Sequence, residues 1–275
     1  MKLFLKILKI LFSSIFLVFI LGVTYFIFLA PKETRFKLAG PQGSLLSQKM
    51  FNLLKWQYPD YSDVYFEQSV AWNKYGNFAK GFELLNQAVE LNPAEHLGYL
   101  GWMKLGKLRA YDDALADFDR LDSLTPGVID APWGEDIDFL RGECYFGKKD
   151  YKKAIESFSR TVENNGEDWV DIQTFVFLGL CEYELGNYEK AISEFNRALA
   201  QSEQICEAHF GLAKTYEKLG DIENAKSHVA LTEKHMAYKR TDHYNEYLNE
   251  IYLWEVEDYK KHLSELPLPT LSTDE

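Results

Sequence analysis

The stretch Gly179-Leu180-Cys181-Glu182-Tyr183-Glu184-Leu185-Gly186-Asn187-Tyr188-Glu189-Lys190-Ala191-Ile192 decides how this chain folds. It reads as two helical stretches separated by a tight turn. Gly186 can adopt the positive φ that stops the first helix, and Asn187 can cap the second. Gly76-Asn77, Lys149-Asp150 and Gly220-Asp221 stand at the same place in neighbouring stretches.

Outward from this unit, a small residue, a large apolar one four on, and often a proline eight beyond that recur along the chain. The series runs Gly81, Leu85, Ala88, Pro93; Ala114, Phe118, Leu121, Pro126; Ala154, Phe158, Thr161; Ala191, Phe195, Ala198; and Ala225, Val229, Thr232. Successive small residues are 33, 40, 37 and 34 apart. A period of this length marks a helical solenoid, in which each unit buries its apolar face against the next. Gly142, Gly179, Ala213 and the small residues Gly81, Ala154, Ala191 and Ala225 fall where two helix backbones cross, since a larger side chain would force them apart. Tyr145, Tyr151, Tyr188, Tyr216, Phe158 and Phe195 fill the space between units and read as core, not as a cofactor box. Ser47, Phe51, Leu54 and Pro59 keep the same spacing, and Pro59 lies 34 residues before Pro93.

On these motifs residues 44–239 resemble the tetratricopeptide repeat (TPR) family. A half repeat is expected at 44–59 and units at about 62–95, 95–128, 135–168, 172–205 and 206–239. The second unit fits least, because Gly101-Trp102-Met103 replaces the usual small-residue site. The resemblance implies an all-α fold, a right-handed superhelical solenoid of antiparallel helix pairs whose inner groove is lined by the first helices and commonly holds a peptide. Fold-level analogy does not identify that peptide. Beyond the last unit, 240–264 reads as an amphipathic capping helix, with Tyr244, Tyr247, Leu248, Ile251 and Trp254 at three- to four-residue steps; a partner-binding or dimerising helix is the alternative. Residues 265–275 form a tail.

From Ile10 to Ala30 the chain carries no charge for 21 residues. As a helix rising about 1.5 Å per residue this run spans roughly 30 Å, the hydrocarbon thickness of a bilayer. It reads as a single transmembrane anchor, 10–30, behind a cationic leader, 1–9. A cleaved signal peptide has a shorter apolar region and a small-x-small site, which Phe28-Leu29-Ala30-Pro31 supplies poorly. Lys2, Lys6 and Lys9 precede the run; Lys32, Arg35 and Lys37 follow it with Glu33, so the positive-inside rule separates the two orientations only slightly. The signal-anchor layout favours a solenoid on the non-cytoplasmic side. Pro31, Gly40, Pro41 and Gly43 suggest that 31–43 is a short tether.

The net charge of −12 is uneven: residues 1–40 hold six basic residues and one acid, leaving −17 on the remainder. So acidic a body repels phosphate backbones and excludes nucleic acid as a ligand, whereas basic or neutral peptide surfaces suit it. Three cysteines, Cys144, Cys181 and Cys206, make no even disulfide framework and read as buried thiols. His-Glu-x-x-His, Gly-x-Ser-x-Gly, Cys-x-x-Cys and a phosphate-cradling glycine loop are all missing from the sequence. His228 and His235 lie two turns apart, too far to share a metal unaided. No catalytic residue, cofactor or metal is therefore assigned.

In the groove implied by the resemblance, the candidate partner-binding residues are Phe66, Asn73, Tyr99, Phe139, Phe146, Val176, Tyr183, Phe210 and Lys214. Phe66 and Val70 stand where one subgroup of the family places residues that grip the carboxylate of chaperone tails, which argues for an apolar or aromatic segment instead. Several of these aromatics serve equally well as inter-helix packing. Two long connections carry Trp133 and Trp169 among acids, and insertions in solenoids map to loops on one edge. Those tryptophans either engage a partner or fold back to seal the joints.

The sequence thus reads as a non-enzymatic, membrane-anchored TPR scaffold that binds a protein or peptide as an adaptor or assembly factor. The alternatives are an immunity-type inhibitor that masks a basic partner surface, and a non-catalytic substrate-binding arm of an enzyme complex.

Overall fold

The positive-φ turn read from Gly186 recurs at the same place in four helix pairs, at Gly76, Lys149, Gly186 and Gly220, with φ of 77°, 61°, 76° and 79°. Asn77, Asp150 and Asp221 then cap the following helix, accepting from the amides of Lys80, Lys153 and Asn224 at 3.2, 3.4 and 3.1 Å. Asn187 does not cap. Its side-chain amide donates instead to Glu182 Oε2 at 2.7 Å, so the carboxylate outcompetes the amide three residues on.

The computed structural model describes residues 2–40, 43–242 and 246–266, and among these every regular element is helical. The tail 267–275, together with Pro41, His243 and Tyr244, lies outside the described residues. The chain divides into two bodies, Met1–His96 and Leu97–Glu275, each taken by itself below.

The first body holds α1 (Lys2–Phe28), α2 (Lys32–Ala39), α3 (Leu45–Gln57), α4 (Ser62–Lys74), α5 (Phe78–Leu91) and the start of α6 (Pro93–Met103). Within α1, Phe4–Phe28 is a stretch of 25 residues with mean hydropathy 2.5, and its apolar window is not buried at all, so by length and composition this helix is able to cross a membrane. It begins at Lys2, so the expected leader joins the expected span in one helix, which stops at Phe28, short of Ala30.

The expected tether is a second correction. Residues 32–39 form α2, bracketed by Pro31 before its first turn and by Gly40 at φ 77° after its last. Proline just outside the start and glycine just past the end are helix-boundary signals as well as breakers. Phe36 of α2 packs on Phe51 of α3 and on Tyr61, with ring centroids 5.6 and 5.5 Å away, and Ala39, Leu54 and Val64 complete the cluster. The 44–59 helix therefore has a short partner of its own.

Arg35 of α2 is buried and ties α1 down. Its guanidinium donates to the Ile27 carbonyl at 2.8 Å, to Tyr58 Oη at 2.6 Å and to Gln57 Oε1. Gln57 also donates to the Ile27 carbonyl, at 3.2 Å. A cation at a helix C-terminus meets both an orphan carbonyl and the negative end of the dipole.

The second body continues α6 into a π turn, Lys104–Leu108, followed by α7 (Tyr111–Leu124), α8 (Ile137–Gly147), α9 (Tyr151–Asn165), α10 (Gln173–Glu184), α11 (Tyr188–Gln201), α12 (Cys206–Lys218), α13 (Ile222–His235) and α14 (Leu253–Glu265). Close glycine contacts set the pairs. A Cβ on Gly142 would lie 2.5 Å from the Phe158 ring, and one on Gly179 would lie 2.6 Å from Phe195. In the second unit Gly101 does the same job against Phe118 at 2.5 Å. It stands 13 residues before Ala114, whereas Gly142 and Gly179 stand 12 before Ala154 and Ala191. The π turn absorbs that extra residue, since a π bulge is a one-residue insertion in an α-helix. The second unit thus keeps its small-residue site.

Phe139, Phe158 and Phe177 form a ring cluster between the third and fourth units, with Phe158 stacked on Phe177 at 5.1 Å. Cys144, Cys181 and Cys206 are buried, free thiols, and burial raises the pKa of each. The expected 240–264 helix starts only at Leu253. Ile251, Val256 and Leu263 then cover Cys206, Phe210, Ala213, Ala225 and Val229, while Trp254 is exposed rather than on the buried face. The described residues before it, 240–242 and 246–252, are not helical.

Candidate partner-binding site

Helical spacing placed the candidate residues on first helices, but packing takes up most of them. In the first body, Phe66 stacks on His96 at 5.0 Å, and buried Asn73 presses against Gly81. In the second body, Tyr99, Phe139, Val176 and Phe210 are buried. Tyr99 packs on Trp102 and Trp133, and Phe210 meets Tyr259 of α14 edge-on at 5.5 Å. Lys214 Nζ sits 4.0 Å from the Phe210 ring centre, and burial lowers its pKa. Phe146 and Tyr183 are half-buried.

What lies over the leading ends of the first helices is the chain itself. Between α13 and α14 the described residues 239–242 and 246–252 carry no regular helix, and they reach four successive units. Arg240 donates through Nη2 to Glu135 Oε1 at 2.8 Å, just before α8, and through its backbone amide to Glu207 Oε1 of α12 at 3.0 Å. Asn249 Nδ2 donates to Gln173 Oε1 of α10 at 2.7 Å. Arg109, after the π turn, donates to the Glu246 carbonyl at 2.6 Å. Lys239 anchors the far end on Glu250 Oε1 at 2.8 Å and the Ile251 carbonyl at 3.1 Å.

The Arg240 guanidinium lies over the Tyr247 ring, its centre 3.8 Å away, with the Phe139 ring farther off at 5.8 Å. Burial works against the charge, but the attraction of Glu143 and Glu135 prevails and raises its pKa. Burial also pushes the Glu143 carboxyl up, to about 8, with Glu135 adding repulsion against the pull of Arg240 and Arg109. Beside it is a cavity of about 90 Å³ lined by Trp102, Trp133, Glu135, Glu143 and Tyr247, among others. Carboxylates and aromatic faces thus surround a guanidinium, which is the chemistry that suits a planar cation.

The two loop tryptophans part company. Trp133 sits in a turn at φ 56° and folds back on Tyr99, 4.8 Å between ring centres. Trp169 is 87% exposed beside Glu167, Asp168 and Asp171. Sequence reasoning missed Arg240, Glu135, Glu207 and Asn249. The signal present was the polar run Thr241, Asp242, His243, Asn245 and Asn249, which favours local side-chain bonds over a continuous helix.

Stacked helix pairs closed by a terminal helix define the class, an α-solenoid repeat protein. Tetratricopeptide repeats are found in it: residues 179–220 match the family model described as TPR repeat, and residues 136–167 the one described as tetratricopeptide repeat. No curated protein matches the chain. Among solved structures it is similar to PilW, described as a widely conserved type IV pilus biogenesis factor, at 17% identity and TM-score 0.61 over 75% of this chain and 94% of that one. It is similar to MamA from Desulfovibrio magneticus RS-1 at 18% identity and TM-score 0.56, over 66% and 97% of the two chains. Yeast Tom70 is similar at 15% identity and TM-score 0.53, over 85% of this chain and 46% of that one. At these identities the likeness is one of fold.

Proposed function

We propose that this chain is a single-pass, membrane-anchored TPR scaffold, without catalytic activity of its own, that holds a protein or peptide partner on its repeats as an adaptor or assembly factor. The observation that carries the reading is α1, an apolar helix with no protein covering it, in a chain otherwise made of helix pairs. So large an apolar surface calls for a bilayer, and an anchored scaffold raises the local concentration of its partner. The solenoid is placed on the non-cytoplasmic side, and nucleic acid is not its ligand.

Three measurements test this. A reporter active on only one side of the membrane, fused after Glu275 and compared with the same fusion lacking residues 1–30, reads anchor and side together. Release of the intact chain by carbonate sinks the anchor. A photo-crosslinking residue at Phe146, Tyr183 or Trp169 should then yield a partner adduct in membranes, and no adduct at any of the three sinks the scaffold. The inhibitor reading has one observation in its favour, the exposure of Trp169 among acids; adducts from Trp169 alone would support it.

A further inference from the structure

Connections between helices in such folds run to about 2–8 residues, and longer ones are usually functional. The stretch from Lys239 to Tyr252 exceeds that, and its described part makes polar contacts to Glu135, Glu207, Gln173 and Arg109 besides setting Ile251 into the terminal apolar cluster. Those described residues lie on the repeats as a bound peptide lies on a receptor, held by side chains from several units, with one arginine beside rings and carboxylates.

We propose that the leading ends of α8, α10 and α12 form an arginine-reading peptide site, occupied in cis by residues 239–252, and that the partner enters as an extended segment whose arginine replaces Arg240. The proposal rests on the scaffold reading above and gives it a partner chemistry, a basic segment with an aromatic residue near its arginine.

Three observations carry it. Glu135, which pairs with Arg240, Glu207, which accepts from its backbone, and Asp171 bring negative charge to one face of an acidic body, which attracts a cationic segment and repels an acidic one. Phe139 of α8 offers the guanidinium a ring at 5.8 Å, and Tyr247 of the segment itself supplies a second at 3.8 Å, which is why the entering segment needs an aromatic residue of its own; a lysine ammonium fills that slot poorly. Third, the cis ligand is an imperfect one. Arg240 Nη1 is buried with no hydrogen-bond partner among the described residues, while the neighbouring cavity leaves room for adjustment. A charged donor left unsatisfied weakens its own ligand, so an incoming arginine that satisfies both nitrogens displaces it.

The test uses the full chain in detergent and, as probe, a fluorescent peptide copying residues 236–254. Arg240→Ala in the protein loosens the cis segment, so the probe should bind it about ten-fold tighter than wild type, as expected when a competing closed state is removed. The same peptide with lysine for its arginine should bind about ten-fold more weakly. Equal binding to wild type and variant, or equal binding of the two peptides, overturns the proposal. Should Arg240→Ala prove unfolded by circular dichroism, Asn249→Ala loosens the segment at Gln173 instead and should show the same gain, which Glu135→Gln in that background should abolish. Loss of peptide binding while the photo-crosslinked adduct persists removes the arginine site and leaves the scaffold; loss of both removes the scaffold as well.

Discussion

Arg240 and Glu135 meet at 2.8 Å although 105 residues separate them along the chain. The pair ties Arg240, which follows the last repeat, to the third unit, so the chain that leads to the terminal helix is itself fastened to the repeats.

The pH dependence of stability should be two-sided. Burial, with help from Glu135 and against the pull of Arg240 and Arg109, raises Glu143 from 4.5 to about 8. A carboxyl raised in the folded state contributes stability that is present below its unfolded pKa and lost as pH climbs toward 8. Glu143→Gln should flatten that alkaline decline in a melting-temperature series from pH 5 to 9.

The acid side belongs to His209 and His228, whose Nδ1 atoms are 3.1 Å apart and whose pKa values burial lowers below 6.5. Neutral when folded and protonated when unfolded, they withdraw stability as pH falls below about 6.5. His228→Asn should reduce the loss between pH 6.5 and 5 in the same series, and an unchanged acid limb would refute the assignment.

Gly179→Ala should destabilise by about 1–3 kcal/mol in urea denaturation, because the new methyl would sit 2.6 Å from the Phe195 ring. Phe195→Leu in the same chain should recover part of the loss, since it removes the atoms that clash.

Deleting Lys107 should cost no more than about 1 kcal/mol, because losing one residue from the π turn returns the second unit to the spacing of its neighbours. Deleting Tyr145 from the regular α8 should cost several times as much, by the same denaturation measurement.

Arg35→Ala should expose the connection between α1 and α3 to limited proteolysis, since it strips the Ile27 carbonyl, Gln57 and Tyr58 of a buried charged donor at a cost of about 1.5–3 kcal/mol. Arg35→Lys should not rescue it, because one ammonium does not reproduce a fork with three acceptors.

The repeats were legible in the sequence for a physical reason. Gly142 and Gly179 are fixed by helix crossing, and Gly186 and Gly220 by a backbone angle, both of which depend on neighbours in the chain. Gly101 escaped because a fixed period does not reveal where an inserted residue is absorbed. Residues 31–43 were misread since Pro31 and Gly40 mark helix ends as readily as helix absence, and only Phe36 on Phe51 decides which. The Arg240 site was out of reach for a different reason: Glu135, Gln173 and Glu207 converge only after three units have stacked.

The clasp on Ile27 has a mechanical side. A helix whose final turn is gripped by a guanidinium and an amide is not joined to the repeats by a bare hinge, so a pull on the first repeats has a hydrogen-bonded route to the apolar helix besides the covalent chain.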